Sequence, residues 1–170
     1  TPHMGSYLLQ TSIRDDCVSD TTTYKTSYSG RYQKIYLTAG QTYTLSGWVN
    51  AAGLKDIQDD GGLFLEFQTT GASILASVKL NDTSSAVNAG WHWMEVSYTP
   101  TSTALYRIVA VQRNSRGVGA FDDLQLVCSA TESELGGTSS NLVQMGSFQF
   151  YNSATASNSL ASTYWSSEGS

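Results

Sequence analysis

The stretch "GWHWMEVSYTP", residues 90–100, alternates apolar and polar side chains with a period of two. Successive side chains of a β-strand point to opposite faces of the sheet, so this pattern predicts a strand with one buried face. The predicted core face carries Met94, Val96 and Tyr98. The opposite face carries Trp91, Trp93, Glu95 and Ser97. Two tryptophans on the outward face pose the question of what they contact; for Trp91, packing in the core or at a sheet edge is the favoured interpretation.

Seven further runs of the chain show the same alternation and are bounded by Gly, Asn, Asp and Ser. They are "YLLQTSI", "RYQKIYL", "QTYTLSGWVN", "GLFLEFQTT", "ILASVKL", "LYRIVAVQ" and "GAFDDLQLV". Eight strand candidates and no helical pattern predict an all-β sandwich, in the form of a jelly roll. A long polar connection is expected over residues 52–62, "AGLKDIQDDGG".

Length and charge exclude several classes of partner. The chain has 170 residues and a formal net charge of -5, with nine basic residues scattered along it. Nucleic acids and anionic membrane surfaces are bound mainly through clusters of Lys and Arg, so neither is expected as a partner. No stretch approaches the roughly 20 consecutive apolar residues that a membrane helix needs.

The chain divides into four predicted segments. Residues 1–6, "TPHMGS", resemble a cloning scar, and residues 7–128 hold the eight strand candidates. Residues 129–140 form a polar linker rich in Gly and Ser, and residues 141–170 follow as a tail. Thirty residues are too few for a second domain, so the tail is expected to dock on another surface.

The two cysteines leave two interpretations open. Cys17 and Cys128 lie near opposite ends of the predicted domain. They either form a disulfide that joins the ends of the sandwich or remain unpaired thiols, because sequence spacing alone does not show whether they meet.

Three motifs carry a resemblance to a known family. In order and spacing, "AGQTYTLSGWVNA", "GWHWMEVSYTP" and "GVGAFDDLQLV" resemble carbohydrate-binding modules of the family 4 and 9 type, which are jelly rolls of the galactose-binding-like class. The version found in repeats of secreted or RHS/YD-repeat proteins of Gram-positive bacteria is the most similar in character. The resemblance covers roughly residues 7–128 and implies a secreted or cell-surface location.

The tail resembles the first strand of that family, displaced to the C-terminus. Family members usually begin with a strand of the type that appears here as "NLVQMGSFQF". An empty first-strand position would leave backbone groups unpaired, so residues 141–151 are predicted to add as a strand. They dock either in cis or in a strand-swapped homodimer; alternatively they belong to a neighbouring repeat with which the domain makes contact.

In three predicted strands, "YTLSGWVN", "LFLEFQT" and "WHWMEVSY", the side chains opposite the core face are a mixture of aromatic and polar residues. They are predicted to share one outward face. Pyranose rings stack on aromatic rings, and their hydroxyls pair with amides and carboxylates, so this mixture suits a glycan. The candidate ligand-binding residues are Trp48, Asn50, Phe64, Glu66, Gln68, Trp93 and Glu95.

A structural calcium ion is a second implication of the resemblance. Asp122, in "GAFDDLQL", matches the family position that helps to hold calcium. Gln149 stands where the first strand usually supplies an acidic residue, and a neutral amide adds no charge to such a site.

The predicted function is that of a non-catalytic carbohydrate-binding module that holds a polysaccharide or oligosaccharide. The alternative is a structural spacer or adhesin repeat of a bacterial surface protein, without a soluble ligand. An enzyme is not expected: His92 has no nucleophile motif near it, and the carboxylates Glu66 and Glu95, although assigned to the same second face, are read as hydrogen-bonding groups. Exposure of Trp48 and Trp93 would favour binding, and their burial would favour the spacer.

Overall fold

The computed structural model describes residues 8–13, 27–83, 90–129 and the main chain of residues 166–169. These residues form nine β-strands. The strands are β1 (Leu9–Ile13), β2 (Tyr28–Leu37), β3 (Tyr43–Lys55), β4 (Gly62–Thr69), β5 (Ile74–Leu80), β6 (Trp91–Tyr98), β7 (Ala104–Arg113), β8 (Arg116–Cys128) and β9 (Ser166–Gly169). All eight strands predicted from alternation are present. In the described segments no helix has the length and apolar character to span a membrane.

The strands form two antiparallel sheets. One sheet has four strands in the order β1-β8-β3-β6, and the other has five in the order β5-β4-β7-β2-β9. The predicted all-β sandwich is therefore confirmed, while its closer classification as a jelly roll stays a prediction. Because β3 and β6 lie in one sheet and β4 in the other, the two sheets divide the predicted binding strands between them.

The core lies between the sheets and is made by the inward positions of the alternating strands. From the four-stranded sheet it receives Tyr43, Leu45, Val49, Met94, Phe121, Leu124 and Leu126. From the five-stranded sheet it receives Leu37, Leu63, Leu65, Phe67, Tyr106, Ile108 and Ala110. The predicted core residues of β3 and β4 are buried, which confirms the period-two interpretation of these strands.

Strand β3 is longer than the alternation indicated. Residues 52–55, expected to begin a long connection, continue β3 beyond an irregularity after Asn50 and pair with β8 as far as Lys55. Polar and small residues tolerate this extension because their backbone groups find partners in the ladder. The connection to β4 is therefore limited to residues 56–61.

A β-bulge changes the direction of side chains in β8. The register with β3 shifts between Ser46 and Trp48, and Asp123 adopts a φ of 50°. The extra residue of such a bulge lets Leu124 enter the core although Asp122 lies opposite Trp48. Gly47 faces this point, where a Cβ atom would stand 2.6 Å from Cδ2 of Leu124.

Part of the C-terminal tail pairs with the sandwich. Strand β9 lies antiparallel to β2 of the same chain, with Ser29 opposite Gly169 and Tyr32 opposite Ser166. The predicted docking strand at residues 141–151 lies outside the described residues, as does most of the linker at residues 129–140. Its docking in cis or by exchange stays a prediction.

The structure describes one of the two cysteines, Cys128. Cys128, at the end of β8, carries a free thiol whose sulfur lies 3.9 Å from Oε1 of Gln41. Cys17 lies outside the described residues.

Candidate functional site

Two tryptophans form a pair on the outer surface of the four-stranded sheet. Trp48 of β3 and Trp93 of β6 are register partners, and their rings meet edge to face with centroids 5.6 Å apart and planes at 69°. Trp93 is 44% exposed, and Trp48 is half-buried. An edge-to-face pair holds both rings in defined orientations, so the exposed ring offers a rigid apolar surface.

Polar side chains surround this pair. Glu95 and Gln125 flank Ser46 on either side, and both are exposed. Asn50 lies on the same face, one step beyond Trp48, and its Oδ1 accepts a hydrogen bond of 2.9 Å from the backbone N–H of Ala52. This hydrogen bond fixes the position of the amide oxygen, so the orientation of the Asn50 side chain is defined. The tryptophan face is defined here by Trp48, Asn50, Trp93 and Glu95.

Trp91 differs from its neighbour two positions along. It shares the face of Trp93 and pairs with Asn50 in the register, yet it is buried. Its burial agrees with packing, the interpretation favoured for this residue although the alternation placed it on the outward face. The exposed aromatic surface of β6 is therefore provided by Trp93.

An ion pair lies on the side of the five-stranded sheet that faces away from the core, and its carboxylate is nevertheless buried. Glu66 of β4 is 0% exposed, and both of its carboxylate oxygens accept hydrogen bonds from the guanidinium of Arg113 in β7, one of them at 2.8 Å. Two more donors reach the same carboxylate: Nε2 of Gln68 at 2.7 Å and Oγ of Ser77 at 3.3 Å. Four donors on one buried carboxylate offset the cost of removing its charge from water.

Aromatic rings pack beside this ion pair. Phe64 forms a small apolar cluster with Val109 and Val111, against which Tyr28 and Tyr32 pack. The guanidinium of Arg107 lies 3.7 Å from the ring centroid of Tyr32, and the guanidinium of Arg113 lies 5.5 Å from that of Phe64. The arginine face is defined here by Phe64, Glu66, Gln68, Arg107 and Arg113.

The structure separates the predicted binding residues into two groups. Trp48, Asn50, Trp93 and Glu95 lie on the tryptophan face, whereas Phe64, Glu66 and Gln68 lie on the arginine face. The expectation that the three strands share one face is wrong, because β4 belongs to the opposite sheet and its outward side points away from β3 and β6. The binding role of each residue stays a prediction.

The arginines were missed by the sequence analysis. Arg107 and Arg113 occur in the otherwise apolar strand "ALYRIVAVQR". A charge within a strand that is apolar on both faces has to find a partner when it is buried, so this pattern was a signal for a polar network. Their partners, Glu66 and Tyr32, are distant in sequence and are identified by the sheet pairing alone.

Asp122, the predicted calcium ligand, lies within the residues that the structure describes. Asp122 is buried, and its Oδ1 accepts a hydrogen bond of 2.9 Å from the backbone N–H of Asp123. Calcium takes six to eight oxygen ligands, and the described residues contain no group of three or more His, Cys, Asp or Glu that could hold a metal ion. Gln149, the other side chain considered for this site, lies outside the described residues. Calcium at Asp122 stays a prediction.

Comparisons with known proteins show a likeness of fold. No family model matches the chain, and no curated protein matches it. A solved structure described as "PbXyn10C CBM APO", a carbohydrate-binding module of a xylanase, aligns with a TM-score of 0.55 and 16% identity. The alignment covers 99% of this chain and 84% of that one.

A second solved structure aligns less well. It is described as arabinose-bound MgGH51 α-L-arabinofuranosidase, with a TM-score of 0.44, 16% identity, and coverage of 78% of this chain and 24% of that one. The first likeness shows that this chain shares its β-fold with a carbohydrate-binding module. At 16% identity it identifies the fold and no ligand.

Proposed function

We propose that this chain is a non-catalytic carbohydrate-binding module whose tryptophan face holds a polysaccharide or oligosaccharide. The observation that carries the proposal is the exposure of Trp93 at the edge of its rigid pair with Trp48. A single exposed aromatic ring is ordinary on a protein surface, but this ring is held in a defined orientation by its partner and has exposed polar groups beside it. The polar groups next to the ring indicate that the ligand carries hydroxyl groups as well as an apolar face.

The ligand chemistry follows from the composition of the face. The apolar C–H face of a pyranose stacks on the ring of Trp93, and its hydroxyls pair with Glu95 on one side and Asn50 on the other. Neighbouring residues of one face along a strand lie about 7 Å apart, which is comparable to the size of one sugar ring. The face therefore suits a stretch of glycan rather than a single small ion.

Catalysis is not part of the proposal, because the carboxylates do not form a working pair. Glycosidases that use two carboxylates hold them about 5–10 Å apart across one bond. Glu95 lies on the tryptophan face and Glu66 on the arginine face, so a core about 10 Å thick separates the strands that carry them. Glu66 is moreover occupied by Arg113.

The proposed setting is a larger secreted or cell-surface protein in which this domain is one module. The fold shared with a module of a xylanase supports that setting. The alternative, a spacer repeat, would favour burial of both Trp48 and Trp93. Trp48 is half-buried, and the exposure of Trp93 supports the binding module.

The proposal is tested by titrating the intact protein with a panel of soluble plant and microbial glycans while tryptophan fluorescence is recorded. We expect a saturable shift with at least one neutral glycan and a loss of affinity of roughly twofold to tenfold in Trp93→Ala, since stacking on one ring contributes on the order of 0.5–1.5 kcal/mol.

The matched control is Tyr36→Ala, which removes an exposed ring from the opposite sheet. Affinity for the neutral glycan should be unchanged in this variant. The absence of a response to every glycan from a folded protein, or equal losses in the two variants, would support the spacer repeat.

A further inference from the structure

Acidic side chains, and no basic ones, lie in the rows that contain the tryptophan face. Three consecutive rows of the four-stranded sheet hold its residues, and the pairing places one outward residue each of β6, β3 and β8 in every row. The rows are Trp91, Asn50 and Ala120; Trp93, Trp48 and Asp122; and Glu95, Ser46 and Gln125. All of these residues are described; Glu95 and Asp122 are acidic, and none is Lys, Arg or His. The face is therefore better matched to a cationic ligand than to an anionic one.

The carboxylate of Glu95 has no partner among the described residues. It is exposed on β6, and no described residue donates a hydrogen bond to it or forms an ion pair with it. By contrast, Glu66 is buried and engaged by Arg113, and Asp56 is paired with Arg116. A hydrated carboxylate exchanges water for a cationic donor at a lower desolvation cost than a buried one does. Glu95 is therefore available to a ligand.

The exposed ring of Trp93 favours the same kind of group. Trp93 is 44% exposed and is held by its edge-to-face contact with Trp48. Among aromatic side chains, tryptophan attracts a cation over its ring face most strongly. Trp93 and Glu95 lie two residues apart on one side of β6, a separation of about 7 Å. A pyranose ring stacked on Trp93 therefore brings a substituent on its rim within reach of the Glu95 carboxylate.

We propose that the tryptophan face selects an amino sugar whose nitrogen is unsubstituted and protonated, within a polysaccharide that carries such units. This inference rests on the proposed glycan-binding function and names the class of sugar. The sugar ring stacks on Trp93, and the ammonium group donates a charge-assisted hydrogen bond to Glu95. A neutral sugar keeps the stacking but offers Glu95 only a hydroxyl. The formal net charge of -5 of the whole chain supports the approach of a polycation.

The test is isothermal titration calorimetry of the intact protein with three β-linked oligosaccharides of equal length. They are built from glucosamine, from N-acetylglucosamine and from glucose, so they differ in one ring substituent: an ammonium, a neutral acetamide or a hydroxyl. A mildly acidic buffer keeps the amine protonated and carboxylates ionised. A low ionic strength of about 0.05 M leaves surface charges little screened.

We expect the glucosamine oligosaccharide to bind about tenfold more tightly than either neutral one. An exposed ion pair contributes up to about fivefold in affinity, and a cation on a tryptophan ring contributes about twofold more. An oligolysine of similar charge has no sugar ring to stack on Trp93. It should bind at least about tenfold more weakly than the glucosamine oligosaccharide, because it keeps the charge and loses the stacking.

Two charge-removing variants assign the preference to Glu95. Glu95→Gln should lower the advantage of the glucosamine oligosaccharide over the neutral ones from about tenfold to about twofold, because the ion pair is lost. Asp60→Asn, the matched control, removes an exposed carboxylate from the connection between β3 and β4 and should leave this advantage unchanged. Trp93→Ala should weaken the binding of all three oligosaccharides, since the stacking surface is removed.

Several outcomes would each overturn the inference. They are equal affinity for the glucosamine oligosaccharide and a neutral one, oligolysine binding as tight as that of the glucosamine oligosaccharide, equal loss of the advantage in Glu95→Gln and Asp60→Asn, and unchanged binding in Trp93→Ala. Equal affinities with saturable binding would reject the amino sugar and leave the glycan-binding function standing. If none of the three oligosaccharides bound, the preference would be wrong, and failure of the whole glycan panel would show that the proposed function is wrong as well.

Discussion

The outer faces of the two sheets carry the same types of outward-pointing side chain. They differ in how far those side chains are exposed to solvent. On the tryptophan face an aromatic ring, Trp93, is exposed beside an exposed carboxylate, Glu95. On the arginine face the aromatic Phe64 and the carboxylate Glu66 are both buried. The same residue types thus serve as an accessible surface on one sheet and as a packed layer on the other.

This difference shows that residue type alone does not indicate a binding role. An exposed carboxylate keeps its hydration and can exchange water for a ligand at low cost. A buried carboxylate has to be paired within the fold, as Glu66 is with Arg113, and removing either partner leaves a charge unsatisfied. Substitutions on the arginine face should therefore mainly lower stability. Substitutions on the tryptophan face should mainly weaken ligand binding.

The largest expected effect is on stability, from Phe64→Ala. Phe64 packs with Val109 and Val111 in the apolar cluster of the arginine face, so its removal should lower the free energy of unfolding by about 3–4 kcal/mol. Urea denaturation followed by circular dichroism measures this change. Trp93→Ala is the comparison on the other face and should cost less than about 1 kcal/mol, because its ring is exposed. Similar costs in both variants would show that the faces do not differ in burial.

The second effect concerns the buried ion pair. Glu66→Gln should lower the free energy of unfolding by about 2–3 kcal/mol, because Arg113 loses the carboxylate that pairs with it. The loss is at the lower end for a buried pair, since the side chain of Arg113 is partly exposed and can turn to water. Glu95→Gln, the isosteric change on the tryptophan face, should alter the same quantity by no more than about 0.5 kcal/mol. If Glu66→Gln lowered the free energy of unfolding less than Glu95→Gln does, the predicted difference between the two faces would be wrong.

The smallest effect is at the contact between the two sheets. Tyr98 of β6 and Tyr106 of β7 meet edge to face with ring centroids 5.8 Å apart. Burial raises the pKa of the Tyr98 phenol above its ordinary value of 10.0, and electrostatic repulsion from Tyr106 adds to the shift. The folded state thus favours the neutral phenol, so the resulting stabilisation is present below pH 10 and is lost as pH rises through the folded-state pKa.

Tyr98→Phe should therefore lessen the decline of the free energy of unfolding above pH 10, while leaving its pH dependence near neutrality unchanged. Urea denaturation at a series of pH values measures this decline. Absorbance titration near 295 nm follows the ionisation of tyrosines, and the variant should lack one component that ionises above pH 10.0. An unchanged alkaline decline would show that Tyr98 ionises alike in the folded and unfolded chain.

Much of the local structure could be predicted from alternation. Strands β2 to β8 appear where period two indicated them, and Leu45, Leu65 and Met94 point into the core as expected. The reason is that a strand with one buried face must alternate, so local pattern and burial are the same information. The end of β3 was placed too early, because its last residues are held by pairing with β8 rather than by an apolar pattern.

The candidate site was predicted less completely. Outward positions such as Trp48 and Glu66 were identified correctly as outward, but their assignment to one surface required knowing which sheet each strand joins. The cations show the same limit: Lys34, Lys79, Arg107 and Arg113 are scattered along the chain and come together on one side of the five-stranded sheet. Sheet membership depends on long-range pairing, which period two does not encode.

For this protein the sequence by itself determined the all-β class, the strands and the inward or outward direction of side chains in the regular parts of β3, β4 and β6, because these follow from local alternation. Tertiary structure decided which outward residues share a surface, which of them water reaches, and that Glu66 is engaged by Arg113, 47 residues away. Those outcomes depend on the order of strands in two sheets, and pairing between distant segments sets that order.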